Sequence, residues 1–179
     1  MAEPKYTISS GTGKSAKREM LITALNTGTS SSPAWSAIGK KVEESSISLD
    51  WGEETKEDIL GHVYTNAKKP TKEQEFSGNN FIGGDDFMNY VADLVIVRED
   101  YVAITQQECL IIHTYLTDST GKAFAERYSE CALLMSTIGG EGGGVIVSDV
   151  TVKFGGTRTT GTATYSADGG ITFTPDEAA

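Results

Sequence analysis

Four places in the chain hold residue types that can do chemistry. Gly11 to Ser15 (GTGKS) has the Gly-Lys-Ser end of a phosphate-binding loop, in which backbone N–H groups cradle a polyphosphate and a lysine neutralises it. Gly83 to Asp86 (GGDD) sets two carboxylates beside a turn, a pattern resembling the metal-binding turns of nucleotide polymerases. His62 and His113 are the two imidazoles available for metal ligation or proton transfer, and Cys109 and Cys131 are the two thiols.

Each reading fails on what the chemistry needs around it. A phosphate loop requires a glycine five residues before its final Gly-Lys pair, where Ile8 stands, and a preceding strand, which is missing. No second acidic motif accompanies Asp85 and Asp86, and helix capping explains both aspartates. The histidines have no cysteine at ligand spacing and form neither HxH nor HExxH, so no metal and no cofactor is expected. His113 alternates with Cys109, Ile111 and Tyr115 on one strand face, which reads as a sheet residue rather than a catalytic base. No GxSxG elbow supplies a nucleophile, and the scattered carboxylates form no acid/base pair. Both cysteines fall in expected strands, as small buried hydrophobes. The chain is not expected to be an enzyme.

The elements that position these residues are mainly β. Residues 1–17 are polar and rich in Ser, Gly and Lys, an N-terminal arm that cannot fold alone. Residues 18–174 form one domain, with 175–179 as a C-terminal tail. Met20 to Leu25 reads as a strand, NTGTSSSPAW as a loop, and Val42 to Trp51 as an alternating strand with Ile47, Leu49 and Trp51 on the core face and Ser46, Ser48 and Asp50 on the wet one. Ile59, Leu60, Val63 and Tyr64 suggest one further strand. Asn66 to Asn80, charged and interrupted by Pro70, reads as an exposed loop or the outer end of a long hairpin.

One segment breaks the β rhythm. Gly84 to Arg98 spaces Phe87, Tyr90, Val91, Leu94 and Val97 along a single helical face, an amphipathic lid that needs a sheet to cover. Beyond Asp100 every residue reads as strand or turn. Ala103 to Thr117 and Ala123 to Met135 flank the turn at Asp118 to Gly121, and this hairpin has the longest apolar strands, fit for the centre of the core. GGEGGG (Gly139 to Gly144) is a flexible connection, and ADGG after Ser166 is a turn signal. The expected architecture is a β-sandwich with one flanking helix.

The chain has 179 residues, 25 acidic and 15 basic, for a formal net charge of −10. Such a surface repels phosphate, which disfavours tight nucleic-acid binding. With no long apolar run and no hydrophobic N-terminal stretch, no membrane partner is expected, and the compartment is expected to be cytosol-like. Function is therefore sought in surfaces: arms that order against a neighbour, and open sheet edges whose unpaired N–H and C=O groups a second copy can satisfy.

The stretch WSAIGKKVEESSISLDWGEETKEDILG, the GDDFMNYVADL helix and the closing VTVKFGGTRTTGTATYSADGGITF resemble, in order and spacing, the tail tube (major tail) proteins of long-tailed bacteriophages, over about Lys17 to Phe173. The resemblance implies homo-hexameric rings stacked into a hollow tube in a virion tail, assembled in the bacterial host cytoplasm. Its partners would be a tape measure protein and tail terminator or baseplate proteins, with double-stranded DNA passing through without tight binding. Contractile injection and type VI secretion tubes share that fold and stand as an alternative.

On this reading Glu44, Ser46, Ser48 and Asp50 line an acidic lumen, Ile47, Leu49 and Trp51 point into the sandwich, and the helix residues Phe87, Tyr90, Val91 and Leu94 form a lid on it. Inter-ring contacts would come from the arm (Lys14, Lys17, Arg18), the charged loop (Lys68, Lys69, Lys72, Glu73) and the C-terminal segment (Asp176). The chain stops soon after Thr174, so no C-terminal decoration domain is expected. A carbohydrate-binding sandwich would present an aromatic platform, which Trp35 in a loop and Trp51 on a core face do not provide. A hydrolase on a β scaffold lacks converging catalytic groups.

Overall fold

The computed structural model describes residues 4–166 and 170–176. Its organising element is a 17-residue strand, β9 (Ala123–Gly139), which belongs to two sheets at once. The first half of β9 pairs with β8 (Gln107–Thr117) on one side and β11 (Arg158–Tyr165) on the other. Its second half pairs with β10 (Val147–Phe154). The first sheet continues outward through β2 (Leu21–Asn26) to β3 (Trp35–Ala37), and through β11 to β12 (Ile171–Pro175). The second runs β9, β10, β7 (Thr71–Asn80) and β4 (Ile47–Asp50), all antiparallel. Short β1 (Thr7–Ile8) adds to the end of β8. Strands that pass from one sheet to another at a bulge are the usual way a sandwich makes a corner.

The corner lies where β10 becomes β11. Gly155 and Gly156 face Ser129 and Glu130, and Gly156 sits at φ +68° with its missing Cβ position 2.8 Å from the Glu130 backbone nitrogen. No L side chain fits there without moving the strand. The chain swings out of one sheet and into the other at this point, while β9 runs on unbroken.

Between the sheets, Leu25, Ile111, Tyr128 and Cys131 meet Phe76, Leu133, Val150 and Val152. The expected hairpin is therefore at the centre of the core. A second cluster lies on the other face of the first sheet: Leu110, Ile112, Ala125 and Ala163, covered by Trp35, Ile171 and Phe173. The sheet curls until β12 meets β3. The unbroken apolar run Cys109 to Ile112 records this burial on both faces. Gln74 crosses the sandwich, its amide oxygen accepting a 2.6 Å hydrogen bond from the Thr23 hydroxyl and its NH₂ donating to Ser45 Oγ.

The helical segment is shorter and less regular than its periodicity suggests. α1 spans Asp86–Ala92, and Asp93–Val97 continues with i→i+5 bonds, the Arg98 N–H reaching the Asp93 carbonyl at 2.9 Å. Phe87, Val91 and Leu94 are buried as expected and Tyr90 packs against them, but Met88 is buried too. The wider turn rotates Val97 out to 75% exposure. Asp85 occupies the N-cap position without making a side-chain cap. Its carboxylate is buried, and its nearest cation is Lys40 Nζ at 3.3 Å, off hydrogen-bond alignment.

Other segments also differ from expectation. The strand read over Val42 to Trp51 is regular only at Ile47–Asp50. Asn66 to Asn80 is not a loop: from Thr71 it is β7, an interior strand with Gln74, Phe76 and Asn79 buried. Trp35 begins a strand, and Ala103–Thr105 is a 3₁₀ turn ahead of β8. The segment read as one strand near Ile59 is a two-stranded hairpin, β5 (Glu54–Glu57) and β6 (Val63–Asn66), exposed along its whole length. The N-terminal arm is docked: Tyr6 packs on Phe124 at 4.9 Å between ring centroids, and Lys5 bonds Asp176 at 2.8 Å. Three residues of the ADGG turn, the start of the arm and the last three residues of the tail lie outside the described residues.

Gly156→Ala is expected to destabilise the fold by about 2 kcal/mol or more, through the left-handed backbone and the contact with Glu130. Gly139→Ala, whose added methyl meets open space, should stay within about 0.5 kcal/mol of wild type. Urea denaturation of both variants measures the difference.

Candidate functional site

The outward face of the four-stranded sheet is polar and acidic. Along β4 it carries Ser48 and Asp50, opposite Glu73 and Thr71 of β7. Glu75 follows on β7, opposite Thr151 of β10, and Lys153 stands opposite Glu73 and pairs with it at 3.3 Å. Glu44 and Ser46, ahead of β4, line a shallow depression with Glu75 and Ser77. The four residues read from the sequence as one wet surface thus share a neighbourhood with two further carboxylates, Glu73 and Glu75. The Glu73 expectation as a contact-loop residue places it on the wrong element, because alternation in β7 was hidden by its charged composition.

This sheet has two open edges. β4 pairs only with β7, and β9 beyond Cys131 pairs only with β10 among the described residues. On the inward side of β4, Ile47 packs against the core, but Leu49 and Trp51 are 48% and 49% exposed. Their direction agrees with the alternation, and their expected burial does not. The sandwich gapes at this end, leaving a cleft of about 530 Å³ between Leu49, Trp51, Tyr128, Phe154 and Arg158.

The β5–β6 hairpin leaves the sheet from Trp51 and Lys68, whose N–H donates to the Trp51 carbonyl. At its tip the Asp58 carboxylate accepts the Leu60 and His62 N–H groups and faces His62 Nδ1 at 3.1 Å. The bond from the His62 backbone holds that carboxyl below its usual range. Ile59 is fully exposed there and Leu60 76% exposed. At the opposite end of the sheet, Ile138, Val145 and Ile146 also face outward.

The expected contact residues divide. Lys14 and Lys17 on the arm, and Lys68 and Lys69 at the hairpin root, are exposed. Arg18 instead ties its own chain, donating to the Ser45 and Leu21 carbonyls at 2.7 Å. Asp176 is held by Lys5 and by the Thr160 hydroxyl. Lys72 turns inward to a buried carboxylate.

That carboxylate, Glu126, anchors a constellation that spacing along the sequence does not reveal. One oxygen accepts Lys72 Nζ at 2.7 Å and His113 Nε2 at 3.0 Å; the other accepts the Tyr128 hydroxyl at 3.0 Å and Arg158 Nε. His113 Nδ1 meets the Tyr115 hydroxyl at 2.8 Å. Burial opposes the charge on Glu126, but the bonds from His113, Lys72 and Arg158 outweigh it and hold the carboxyl far below its usual range. Burial, with the neighbouring carboxylate, pushes the Tyr128 phenol well up. The residue types are those of an acid/base site, but the Glu126 carboxylate spends both oxygens on groups of its own chain, two on each. Glu126 lies in the first half of β9 and Lys72 in the second sheet, so the cluster ties the two sheets together.

Cys109 and Cys131 are buried free thiols, the Cys131 thiol donating to the Tyr128 carbonyl at 3.9 Å; the neighbouring Cys131 and burial push the Cys109 thiol well up. Among the described residues no His, Cys, Asp and Glu group could hold a metal, and no helix is long and apolar enough to cross a membrane.

No protein-family model matches the chain, and no curated protein matches it in sequence. Among solved structures it is similar to the sheath/tube terminator of an extracellular contractile injection system, PVC, in the extended state: TM-score 0.50 and 8% identity, over 84% of this chain and 99% of that one. It is also similar to the sheath-tube complex of the same system (TM-score 0.48, 8% identity, 84% and 94% coverage). A third likeness is to the tube-terminating cap of the anti-feeding prophage (TM-score 0.47, 12% identity, 86% and 95% coverage). At 8% identity the first likeness is one of fold, and it extends through nearly all of the terminator chain.

The depressed Glu126 carboxyl stabilises the fold fully above pH about 4.5, its ordinary value, and progressively less as pH falls below it. Glu126→Ala should cost about 3 kcal/mol at pH 7, by removing the shared acceptor of the partly buried Lys72, His113 and Arg158. Glu126→Gln should flatten the decline of the urea midpoint below pH 4.5; an unchanged decline would assign acid sensitivity to other carboxylates.

Proposed function

We propose that the chain is a structural subunit of a tail-tube-like assembly, forming homo-hexameric rings that stack into a tube. The observation that carries this reading is the fold: a sandwich with the architecture of a tube terminator, one of whose sheets has two open edges and an acidic outer face. Joining the β4 edge of one copy to the free β9 edge of the next is a heterologous contact, which closes into a ring when the rotation fits. The outer faces then form one continuous wall. Glu44, Asp50, Glu73 and Glu75 make that wall negative, so a DNA backbone passing along it is repelled and slides rather than adheres.

The β5–β6 hairpin supplies the stacking contact. A two-stranded hairpin with no apolar face covered is marginal in water, and Ile59 and Leu60 at its tip need a surface to bury against. The apolar Ile138, Val145 and Ile146 at the far end of the sheet offer one on the next ring. Tape measure, terminator and baseplate proteins would meet such a tube at its ends, in a virion tail built in the host cytoplasm. The likeness to a terminator of a contractile injection system favours a second reading, a single ring that caps such a tube.

Negative-stain microscopy of the concentrated protein tests both. Tubes roughly 100 Å wide, the span of six such domains around a channel, support the tube subunit; single rings support the cap, and monomer at every concentration refutes both. Ile59→Asp with Leu60→Asp should leave rings and abolish stacking. Glu44→Lys with Asp50→Lys should leave the fold and assembly intact and slow DNA passage, read as lower infectivity of the particle; unchanged infectivity would place those residues away from the lumen.

A further inference from the structure

The cleft beneath β4 and a corner at the opposite edge of the same sheet both expose aromatic and aliphatic groups, and they carry opposite charge. The cleft exposes Leu49 and Trp51 above Tyr128 and Phe154, whose rings lie 5.3 Å apart, with Lys69 and Arg158 at its rim. The corner follows the helix: Glu99 to Val102 turns beside Leu133 and Met135, on the inward side of β9 where it has no second partner strand. Tyr101 is 80% exposed at its apex and Val102 is 52% exposed beside it.

Two features show that the corner is a formed knob. Glu99 is a non-glycine residue at φ +49°, a conformation retained where the surroundings demand it. The Asp100 N–H donates to the Leu94 carbonyl at 2.9 Å, and the Asp100 carboxylate accepts the Ala103 N–H at 2.9 Å, so the turn is braced from both sides. A braced turn loses little backbone freedom on docking. Among the described residues Glu99 has no cation paired with it, while Lys69 is an exposed cation with no pair.

We propose that the Glu99–Val102 corner of one subunit seats in the β4 cleft of its lateral neighbour, a second copy of this chain, with Tyr101 against Leu49 and Trp51 and Glu99 facing Lys69. Corner and cleft lie on the same side of one sheet at opposite edges, so the contact repeats around a ring without using any surface twice. It rests on the ring reading above and adds a locking contact behind the joined strands. It also accounts for Leu49 and Trp51: their apolar surface is left open in the single subunit because a neighbour completes the core.

The test uses the full chain and its critical concentration for assembly, followed by sedimentation and negative stain. Tyr101→Ala and Trp51→Ala should each raise that concentration at least about tenfold, while the melting temperature of the unassembled Tyr101→Ala subunit stays at the wild-type value. Glu99→Lys and Lys69→Glu should each weaken assembly, and the two together should recover most of it. A mixture of Tyr101→Cys and Trp51→Cys subunits should be joined by a short bismaleimide only when assembled. Wild type that assembles while Tyr101→Ala assembles at the same concentration, or without the cross-link, overturns this contact alone. Wild type that stays monomeric overturns the ring reading and the contact together.

Discussion

A single strand serving two sheets constrains everything else in this molecule. β9 cannot twist to suit one sheet without moving the other, so the angle between the sheets is set by how its partners change over at Gly155 and Gly156. The Glu126 cluster, close to that changeover, fastens the result. Lys72 approaches the carboxylate from the second sheet, and His113 and Arg158 from the first. A buried carboxylate is costly unless its lone pairs are filled; here filling them requires both sheets to be in place, which makes the ionic contact selective for one arrangement of the sandwich.

The surface follows from that arrangement. Because β9 leaves the first sheet near Cys131, its second half has an unpaired edge, and because β4 is short and last in its sheet, the other edge is unpaired too. Long flat edges are hazardous in a monomer; here β4 is only four residues long, and the free half of β9 is broken by a bulge at Ser136, between Met135 and Thr137. Several of the exposed apolar groups, Leu49 and Trp51, Tyr101 and Val102 among them, stand near these edges, and Ile59 and Leu60 stand beyond one end of the sheet. Exposed groups so placed are intelligible as parts of interfaces.

Much of this was legible in the residues. The β8–β9 hairpin is visible because apolar alternation and the Asp118 turn agree, and the helix because no strand period fits Phe87, Val91 and Leu94. β7 was not legible: its outward positions are Thr71, Glu73, Glu75 and Ser77, and a polar strand with one buried face looks like a loop when Lys72, Gln74 and Asn79 occupy inward positions. The β5–β6 hairpin inverts the usual rule, exposing apolar residues where a core strand would bury them. The rotation of Val97 out of the stripe depends on a single i→i+5 turn, which the 3.6-residue period does not encode.

The sequence by itself determined the fold class, the acidic surface, the helix as a lid and the wet side of β4, since each depends on local periodicity and net charge. Tertiary structure alone decided that Lys72, His113, Glu126 and Arg158 meet, that Leu49 and Trp51 open onto a cleft, and which edges of the sheet stay free. Those outcomes depend on strand order and register between residues far apart in the chain, set by the shared strand and its glycine corner, and no pattern within one segment carries that information.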